Sequence, residues 1–258
     1  MLDLAALSGA AVWCSWWCKL PATGAANSTE ALYRVRFSRA ERVRKDRLWR
    51  VLCRHFLQDY VSPDHVVLDL ACGMGEFTRH IAAGRKIAVD LNNTAKGYLA
   101  PDVEFHTATA ERLDFLSDEV VDVCFSSNFL EHLPTKKAVD SVLAEVFRVL
   151  RKGGRYLAIQ PNIRYAYREY WDFYDHVTAL SDRSCAEAFL LAGFEIERLV
   201  PRFLPFTTKG KAGAHPAALR LYLALPAVWR LFGKQFFIVG RKPFAGRPGT
   251  GTDGTPRG

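Results

Sequence analysis

The chain has 258 residues, of which 49% are hydrophobic and 24% are charged, so it can fill a substantial core and suits one domain with additions. Its six cysteines lack the spacing of a disulfide framework, which argues against a secreted disulfide scaffold and favours a reducing, cytoplasmic setting. The net charge of +8 conceals an acidic centre between two basic flanks. The centre, residues 55–198, has 15 basic and 22 acidic side chains. The flanks are residues 34–54, with nine basic and two acidic side chains, and residues 199–258, with ten basic and one acidic.

The first 60 residues divide into an extension and a helix. Residues 1–28 contain a short apolar run that cannot cross a bilayer, and Asp3 stands where a secretory signal would carry basic residues, so we expect a poorly ordered extension. From Glu30 to Tyr60 the apolar residues recur at helical spacing, which predicts a leading helix. Its predicted apolar stripe comprises Leu32, Val35, Val43, Leu48, Trp49, Leu52 and Phe56.

Residues 66–79 and 87–90 carry the most informative pattern in the chain. A buried strand runs into a glycine turn and a helix start, and a second strand then ends on an acid. This order builds a nucleotide-type pocket at the carboxyl edge of a parallel sheet. Gly73 and Gly75 leave room for a ligand to lie against the backbone, and Asp90 is placed to accept hydrogen bonds from ribose hydroxyls.

The charges in this turn indicate which nucleotide binds there. A dinucleotide fingerprint would have a third glycine where Thr78 stands, and it would keep the turn free of acid because the pyrophosphate docks on the helix N-terminus. Here Asp69 closes the strand and Glu76 opens the helix. Two carboxylates repel a diphosphate but attract a ligand that carries an ammonium and a sulfonium group, and S-adenosylmethionine is such a ligand.

The segment Asp69-Leu-Ala-Cys-Gly-Met-Gly75 resembles the first motif of class I S-adenosylmethionine-dependent methyltransferases, with Ala71 where that family usually has glycine. Further segments resemble the family in the same order, from Asp90 through Thr109–Leu113 and Val121–Leu133 to Arg148–Gly154, and together they cover roughly residues 60–200. The resemblance implies S-adenosylmethionine as the cofactor. The predicted cofactor-binding residues are Asp69, Ala71, Gly73, Gly75, Asp90, Ala110, Glu111 and Asn128.

Strand and helix patterns alternate through the centre of the chain. Strands are predicted at 65–70, 86–90, 103–107, 120–126, 155–160 and 195–200, and helices at 76–83, 135–151 and 182–192. Such alternation predicts an α/β fold with a parallel, doubly wound sheet. The resemblance adds a last strand at 235–240, which gives a seven-stranded, mostly parallel sheet within a methyltransferase domain spanning residues 29–243.

A helical insertion at 201–234 precedes the last strand. Residues 215–232 read as a helix that is broken at Pro226 and is apolar on all sides, with Arg220 and Arg230 beside it. It either packs on the sheet or on a second subunit, or it leans on lipid or caps a hydrophobic substrate. Residues 244–258, rich in glycine, proline and threonine, are predicted to be a disordered tail.

Acceptor-binding residues are expected in the loops that follow the fourth and fifth strands, at the carboxyl edge of the sheet. His132 is the first candidate for catalysis, with Glu131 to orient it, and His176 is the second, in a loop crowded with aromatic residues. The alternatives are that His132 caps a turn and that His176 only holds its loop in place. The other histidines lack ligand spacing, so the sequence predicts no metal site.

These observations favour methyl transfer from S-adenosylmethionine to a small-molecule acceptor, most simply an O-methylation of an amphiphilic, saccharide or phosphorylated metabolite. The basic flanks favour an anionic partner, including the inner face of a membrane, although they are equally explained as two solvated helical faces. The first alternative is an RNA methyltransferase, but no RNA-binding module is recognisable and nucleic acid is therefore not the expected partner. The second is a non-catalytic protein that binds the cofactor or docks on membranes.

Overall fold

The structure, a computed structural model, describes residues 39–206 and 215–244. The predicted extension 1–28, the first part of the predicted leading helix and the predicted tail beyond Phe244 lie outside the described residues. The ends proposed for the domain, at residues 29 and 243, therefore stay predictions.

Seven strands form one sheet in the order β3-β2-β1-β4-β5-β7-β6. The strands are β1 Val66–Leu70, β2 Arg85–Asp90, β3 Val103–Thr107, β4 Val121–Ser127, β5 Leu150–Pro161, β6 Glu195–Val200 and β7 Gln235–Arg241. β1 to β5 pair in parallel, whereas β7 runs antiparallel to both β5 and β6. The seven-stranded, mostly parallel α/β fold predicted from the sequence is confirmed.

Seven helices are described around this sheet. They are α1 Arg39–His55, α2 Glu76–His80, α3 Lys136–Val149, α4 Ile163–Ala166, α5 Asp182–Leu191, α6 Pro216–Ala224 and α7 Pro226–Phe232. Short 3₁₀ segments follow four of the strands or helices, at Leu57–Tyr60, Asn93–Tyr98, Leu130–His132 and Tyr170–Asp172. Because the helices lie on both faces, the sheet is buried on both sides, as a parallel sheet requires.

Alternation of side chains along each strand supplies both cores. In β1, Leu68 and Leu70 join the core beneath α3 and α5, while Val67 joins the core beneath α1, α6 and α7. The second core contains a cluster of aromatic rings in which Phe56, Phe203, Trp229 and Phe237 are in contact. α1 and the insertion are thus fixed to the same side of the sheet.

Several sequence predictions were wrong in detail, and the leading helix ends at His55 rather than at Tyr60. Val43 was placed in the apolar stripe of the leading helix but is exposed, because it lies about 140° around α1 from Leu48, which is buried. α2 ends at His80 rather than near residue 83, because Ile81 turns to extended backbone and buries its side chain in the core. The amide of Ala82 then donates to Gln58 Oε1 instead of continuing the helix.

The insertion forms two short helices rather than one. α6 and α7 meet at Leu225, whose backbone is non-helical, and Pro226 begins α7, so the break predicted at this proline is confirmed. Leu223 and Trp229 are buried in the core with α1, which supports the reading of a helix packed on the domain. Within residues 39–206 and 215–244, no helix has the length and apolar character needed to cross a bilayer.

Candidate cofactor and acceptor site

The predicted site residues collect at one edge of the sheet. β1, β2, β4 and β5 are parallel neighbours, so the segments that follow them lie side by side at their carboxyl ends. The glycine turn after β1, Asp90 at the end of β2 and Asn128 after β4 all belong to this edge. Ligands of open α/β sheets bind at such an edge.

The turn between β1 and α2 is built from left-handed backbone. Ala71, Gly73 and Gly75 have φ values of 59°, 54° and 66°, a region that costs a residue with a Cβ about 1–2 kcal/mol. A Cβ at Gly75 would also lie 2.2 Å from Leu99 Cδ2. Gly75 is therefore required by the turn, while Ala71 adopts an unfavourable backbone that glycine would adopt freely.

We expect Ala71→Gly to stabilise the domain. Glycine removes the left-handed penalty but makes the unfolded chain more flexible, so the net gain is about 0.5–1 kcal/mol in the free energy of unfolding. Urea unfolding followed by circular dichroism measures it. A variant that is less stable than the parent chain would show that the methyl group of Ala71 contributes packing that outweighs the strain.

Asp90 is held by two backbone amides, one from the glycine turn and one from the segment that follows β2. Its Oδ2 accepts from the amide of Gly73 at 2.9 Å and its Oδ1 accepts from the amide of Asn92 at 2.8 Å. Each carboxylate oxygen keeps a second lone pair. The half-buried side chain is thus fixed in orientation and can still accept hydrogen bonds from a ligand.

Asp69 is the most deeply buried acid of this turn, with only 3% of its surface exposed. Burial, and then the negative charges of Glu76 and Asp90, raise its pKa well above its usual value, and the amide of Thr78 offsets this only in part. Its Oδ2 accepts no hydrogen bond from any described residue. A cationic ligand would compensate this group, whereas an anionic one would add to the repulsion.

The leading helix is tied to this turn by charged contacts. Lys45 Nζ lies 2.9 Å from Glu76 Oε1, and Asp46 accepts from Arg79 at 2.7 Å and lies 2.8 Å from His80 Nε2. Arg79 also donates to the backbone oxygens of Met74 and Tyr98. The described part of the leading helix therefore lies beside the predicted cofactor pocket and braces the turn.

Three further predicted cofactor residues have local roles. Asn128 is exposed and adopts a left-handed φ of 50°, and its Oδ1 accepts from Gln235 Nε2 at 2.6 Å. Ala110 is half-buried and Glu111 is exposed, in the segment after β3 whose Ala108 amide donates to Asp90 O. Their contacts with a cofactor stay predictions.

The fold brings the two histidine candidates together. The rings of His132 and His176 lie 5.0 Å apart, in a T-shaped arrangement, with Glu131 beside them. His132 Nδ1 donates to the backbone oxygen of Asp175 at 2.9 Å and lies 3.4 Å from that residue's carboxylate. His176 is buried, stacked on Phe173 at 4.8 Å. Sequence reasoning treated the two histidines as separate constellations.

Glu131 is the buried member of this group, with 2% of its surface exposed. Burial raises its pKa to about 8, although its own backbone amide lowers it somewhat. Neither carboxylate oxygen accepts a hydrogen bond from another described residue, and His132 Nε2 is 4.0 Å from Oε1. The sequence suggested only that Glu131 orients His132, whereas in the structure Asp175 orients it.

Most of the other histidines have partners among the described residues. His80 pairs with Asp46, His106 lies 2.7 Å from Glu104 and stacks on Phe115, and His65 Nδ1 accepts from the amide of Ser62. Four described cysteines are buried and free, which agrees with the absence of a disulfide framework among those residues.

Comparison with known proteins gives consistent matches. Residues 68–158 match the family model of a methyltransferase domain. A ubiquinone/menaquinone biosynthesis C-methyltransferase of Hydrogenovibrio crunogenus is 31% identical over 150 residues, which are 50% of this chain and 54% of that protein. The chain thus spans about half the length of the curated relatives it matches.

Two solved structures share the fold. The first is a chain from the complex between the Haloferax volcanii Trm112 methyltransferase activator and a methyltransferase named from its sequence. It has a TM-score of 0.62 at 18% identity, with 85% of this chain and 100% of that chain covered. Geranyl diphosphate methyltransferase in complex with S-adenosylmethionine has a TM-score of 0.55 at 17% identity, with coverages of 88% and 94%. Together with the strand order, these matches show that residues 68–158 lie in a methyltransferase domain and that the sheet has the Rossmann-like fold of S-adenosylmethionine-dependent methyltransferases.

Proposed function

We propose that this protein transfers the methyl group of S-adenosylmethionine to an oxygen of an amphiphilic small molecule. The observation that carries the proposal is the pairing of two sites at one sheet edge: the acidic glycine turn after β1, and the Glu131–His132–His176 cluster after β4 and β5. The first suits a cationic donor. The second brings ionisable groups to the loops in which we expect an acceptor to bind.

The donor side fits S-adenosylmethionine on the geometry of the turn. The Asp69 carboxylate, whose Oδ2 accepts no hydrogen bond from a described residue, suits the ammonium and sulfonium charges, and Asp90 suits the ribose hydroxyls. Ala110, Glu111 and Asn128 complete the proposed set. The cofactor supplies an electrophilic methyl group, so the protein needs to position the acceptor and to remove its proton.

The acceptor side is lined by exposed apolar and aromatic side chains. Tyr167, Trp171, Tyr174 and Val177 are all exposed on the segment between β5 and α5 that also carries His176. Exposed aromatic residues of this kind commonly mark a binding surface. The names of two similar proteins refer to ubiquinone/menaquinone biosynthesis and to geranyl diphosphate, which agrees with an apolar or amphiphilic acceptor.

The experiment that tests the proposal follows the methyl group. Purified protein is incubated with S-adenosylmethionine labelled on its methyl group and with fractionated cell extract. Label in a lipid or saccharide fraction supports the proposal, and label that resists alkali excludes a methyl ester. Label in RNA would favour the alternative of an RNA methyltransferase, and no labelled product despite measurable donor binding would favour a non-catalytic protein.

We further propose that the insertion touches an anionic lipid surface. Leu221, Leu225, Leu231 and Phe232 of α6 and α7 are exposed, while Leu223 and Trp229 hold the same helices on the domain. Arg220 and Arg230, also exposed, lie next to the exposed leucines in sequence. Apolar side chains beside arginines are complementary to a bilayer surface that contains anionic lipid.

We expect Leu231→Glu to weaken binding to anionic vesicles at least about tenfold. The substitution removes apolar area that the bilayer would bury and adds a negative charge that anionic lipid repels. Leu231 is 70% exposed, so the substitution spares the core. Flotation with vesicles of phosphatidylcholine, with and without phosphatidylglycerol, measures the binding. Leu191→Glu is the matched control, since Leu191 is 83% exposed on α5. Equal losses in both variants, or no flotation of the parent chain, would reject the lipid contact.

A further inference from the structure

Glu131, His132 and His176 each offer one ligand atom, and these atoms all lie within 4.8 Å of one another. They are the one group of this kind among residues 39–206 and 215–244. We propose that they bind one divalent transition-metal cation, such as Zn²⁺, and leave at least one coordination position open to the acceptor. Cation binding does not depend on methyl transfer, whereas the role of the cation in activating an acceptor hydroxyl rests on the proposed function.

The first support is the state of the Glu131 carboxyl group. It is almost completely buried, and neither of its oxygens accepts a hydrogen bond from another described residue. A buried polar group without a partner costs on the order of 1–3 kcal/mol, and more if it is charged. Buried charges in proteins are normally paired or coordinate a metal. A cation between Glu131 and the two imidazoles would remove this cost.

The second support is the orientation of His132. Its Nδ1 donates to the backbone oxygen of Asp175 and lies near that residue's carboxylate, so Nε2 is left unprotonated in the neutral ring. Nε2 is also the nitrogen that faces Glu131, at 4.0 Å. Imidazoles that ligate metals almost always donate their other N–H to a carboxylate or a backbone carbonyl. Asp175 supplies both kinds of oxygen.

The third support is the rigidity of the two loops that carry the ligands. The backbone oxygen of Glu131 accepts from the amides of Val177 and Thr178, at 2.9 Å and 3.0 Å. Thr178 Oγ1 donates to the backbone oxygen of Leu133, and Tyr170 Oη donates to the backbone oxygen of Thr178. These bonds fix the loop after β4 to the segment before α5, so the two backbone segments that carry the ligands are held together before a cation arrives.

The donor set identifies the class of cation. Two imidazoles and one carboxylate suit zinc and other first-row transition metals rather than calcium or magnesium, and this set with an open position is typical of catalytic zinc sites. Tetrahedral ligands at zinc distances lie about 3.4 Å apart. Side-chain rotations must therefore draw the three groups together when the cation binds.

The chemistry expected of the cation is that of a Lewis acid. An acceptor hydroxyl in the open position would be more acidic and would lose its proton to solvent. Its oxygen then forms a bond to the methyl carbon as the carbon–sulfur bond breaks, with the electron pair of that bond passing to sulfur. The sulfonium becomes a neutral thioether, and no oxidant or reductant is needed.

The test measures cation binding without any acceptor. Protein freed of metal with a chelator is titrated with Zn²⁺ in a calorimeter, and Co²⁺ is added to a second sample to record the visible spectrum of the bound ion. We expect one equivalent of Zn²⁺ and a Co²⁺ spectrum typical of mixed nitrogen and oxygen ligands. His176→Ala and Glu131→Gln should each weaken Zn²⁺ binding at least tenfold and remove the spectrum.

Glu131→Gln keeps the shape of the side chain and removes the buried charge, so it remains informative where an alanine variant fails to fold. His55→Ala is the matched control, since His55 is exposed at the end of α1. Zn²⁺ binding that survives in both cluster variants, or that is lost equally in the control, overturns the proposal. Donor affinity is measured on the same samples to separate the two claims. If the parent chain binds Zn²⁺ but not S-adenosylmethionine, the methyltransferase function is contradicted and cation binding stands.

Discussion

Asp69→Asn is expected to lower the affinity for S-adenosylmethionine about a hundredfold while making the free protein more stable. Losing one partner of a desolvated charge pair costs about 2–5 kcal/mol, which sets the size of the loss. The gain in stability follows from the free protein, in which the carboxyl group is buried beside Glu76 and Asp90. Asparagine has the same shape and carries no charge to bury.

The pH dependence of both quantities follows from the raised pKa of Asp69. At pH values above the usual carboxyl range, Asp69 keeps its proton in the native state of the free protein but has lost it in the unfolded chain. The free energy of unfolding therefore falls as the pH rises from about 4 to the raised pKa. A cationic donor favours the ionised carboxylate, so binding releases a proton and affinity increases with pH over the same window. The thiols of Cys72 and Cys124 stay neutral there, because burial raises their pKa values as well.

Calorimetry in two buffers with different ionisation enthalpies measures the released proton, and chemical unfolding measures the stability. The Asn variant should release no proton and should lose the pH dependence of both. Asp102→Asn is the matched control, because Asp102 is an exposed carboxylate that pairs with Lys86. S-adenosylhomocysteine lacks the sulfonium charge, so the Asp69→Asn substitution should weaken its binding less than it weakens binding of the donor. An unchanged donor affinity in Asp69→Asn would show that this carboxylate does not face the ligand.

The first six strands could be predicted from the sequence because each carries a local signal, whereas β7 was predicted from the family resemblance. β3 and β6 have the predicted bounds, and the others begin or end within a few residues of them. β5 starts five residues earlier than predicted, because Leu150 pairs with Val121 across an irregular register before Arg155 pairs with Val123. That pairing depends on the neighbouring strand and leaves no pattern in the local sequence.

The acceptor cluster could be predicted only in part. His132 and His176 each stood out as a histidine after a strand, but their contact depends on how the segment from Tyr170 to Thr178 folds back onto the loop after β4. No periodicity encodes such a return. The one signal available was topological, since β4 and β5 are parallel neighbours whose following segments must share an edge. This signal predicts that the two loops lie close together, but it does not predict which side-chain atoms come into contact.

Gly75→Ala is expected to destabilise the domain by about 2–3 kcal/mol and to weaken donor binding, because the new Cβ meets both a left-handed backbone and the side chain of Leu99. Gly97→Ala is the matched control, since a Cβ at Gly97 has no atom within 4 Å and its φ is not in the left-handed region. Urea unfolding and calorimetry with the donor measure the two effects.

A second substitution separates the causes of the Gly75 effect. Leu99→Ala in the Gly75→Ala background removes the atom that the new methyl group meets, at 2.2 Å. The double variant should therefore regain the stability lost to the clash and keep the backbone penalty of about 1–2 kcal/mol. Leu99→Ala alone supplies the reference for the lost leucine. If the two substitutions are additive, the clash is relieved without cost by rotation of Leu99, and the backbone conformation alone explains why glycine stands at this turn. A positive coupling energy instead shows that the turn is packed tightly enough to exclude even a methyl group from the edge where the donor is proposed to lie.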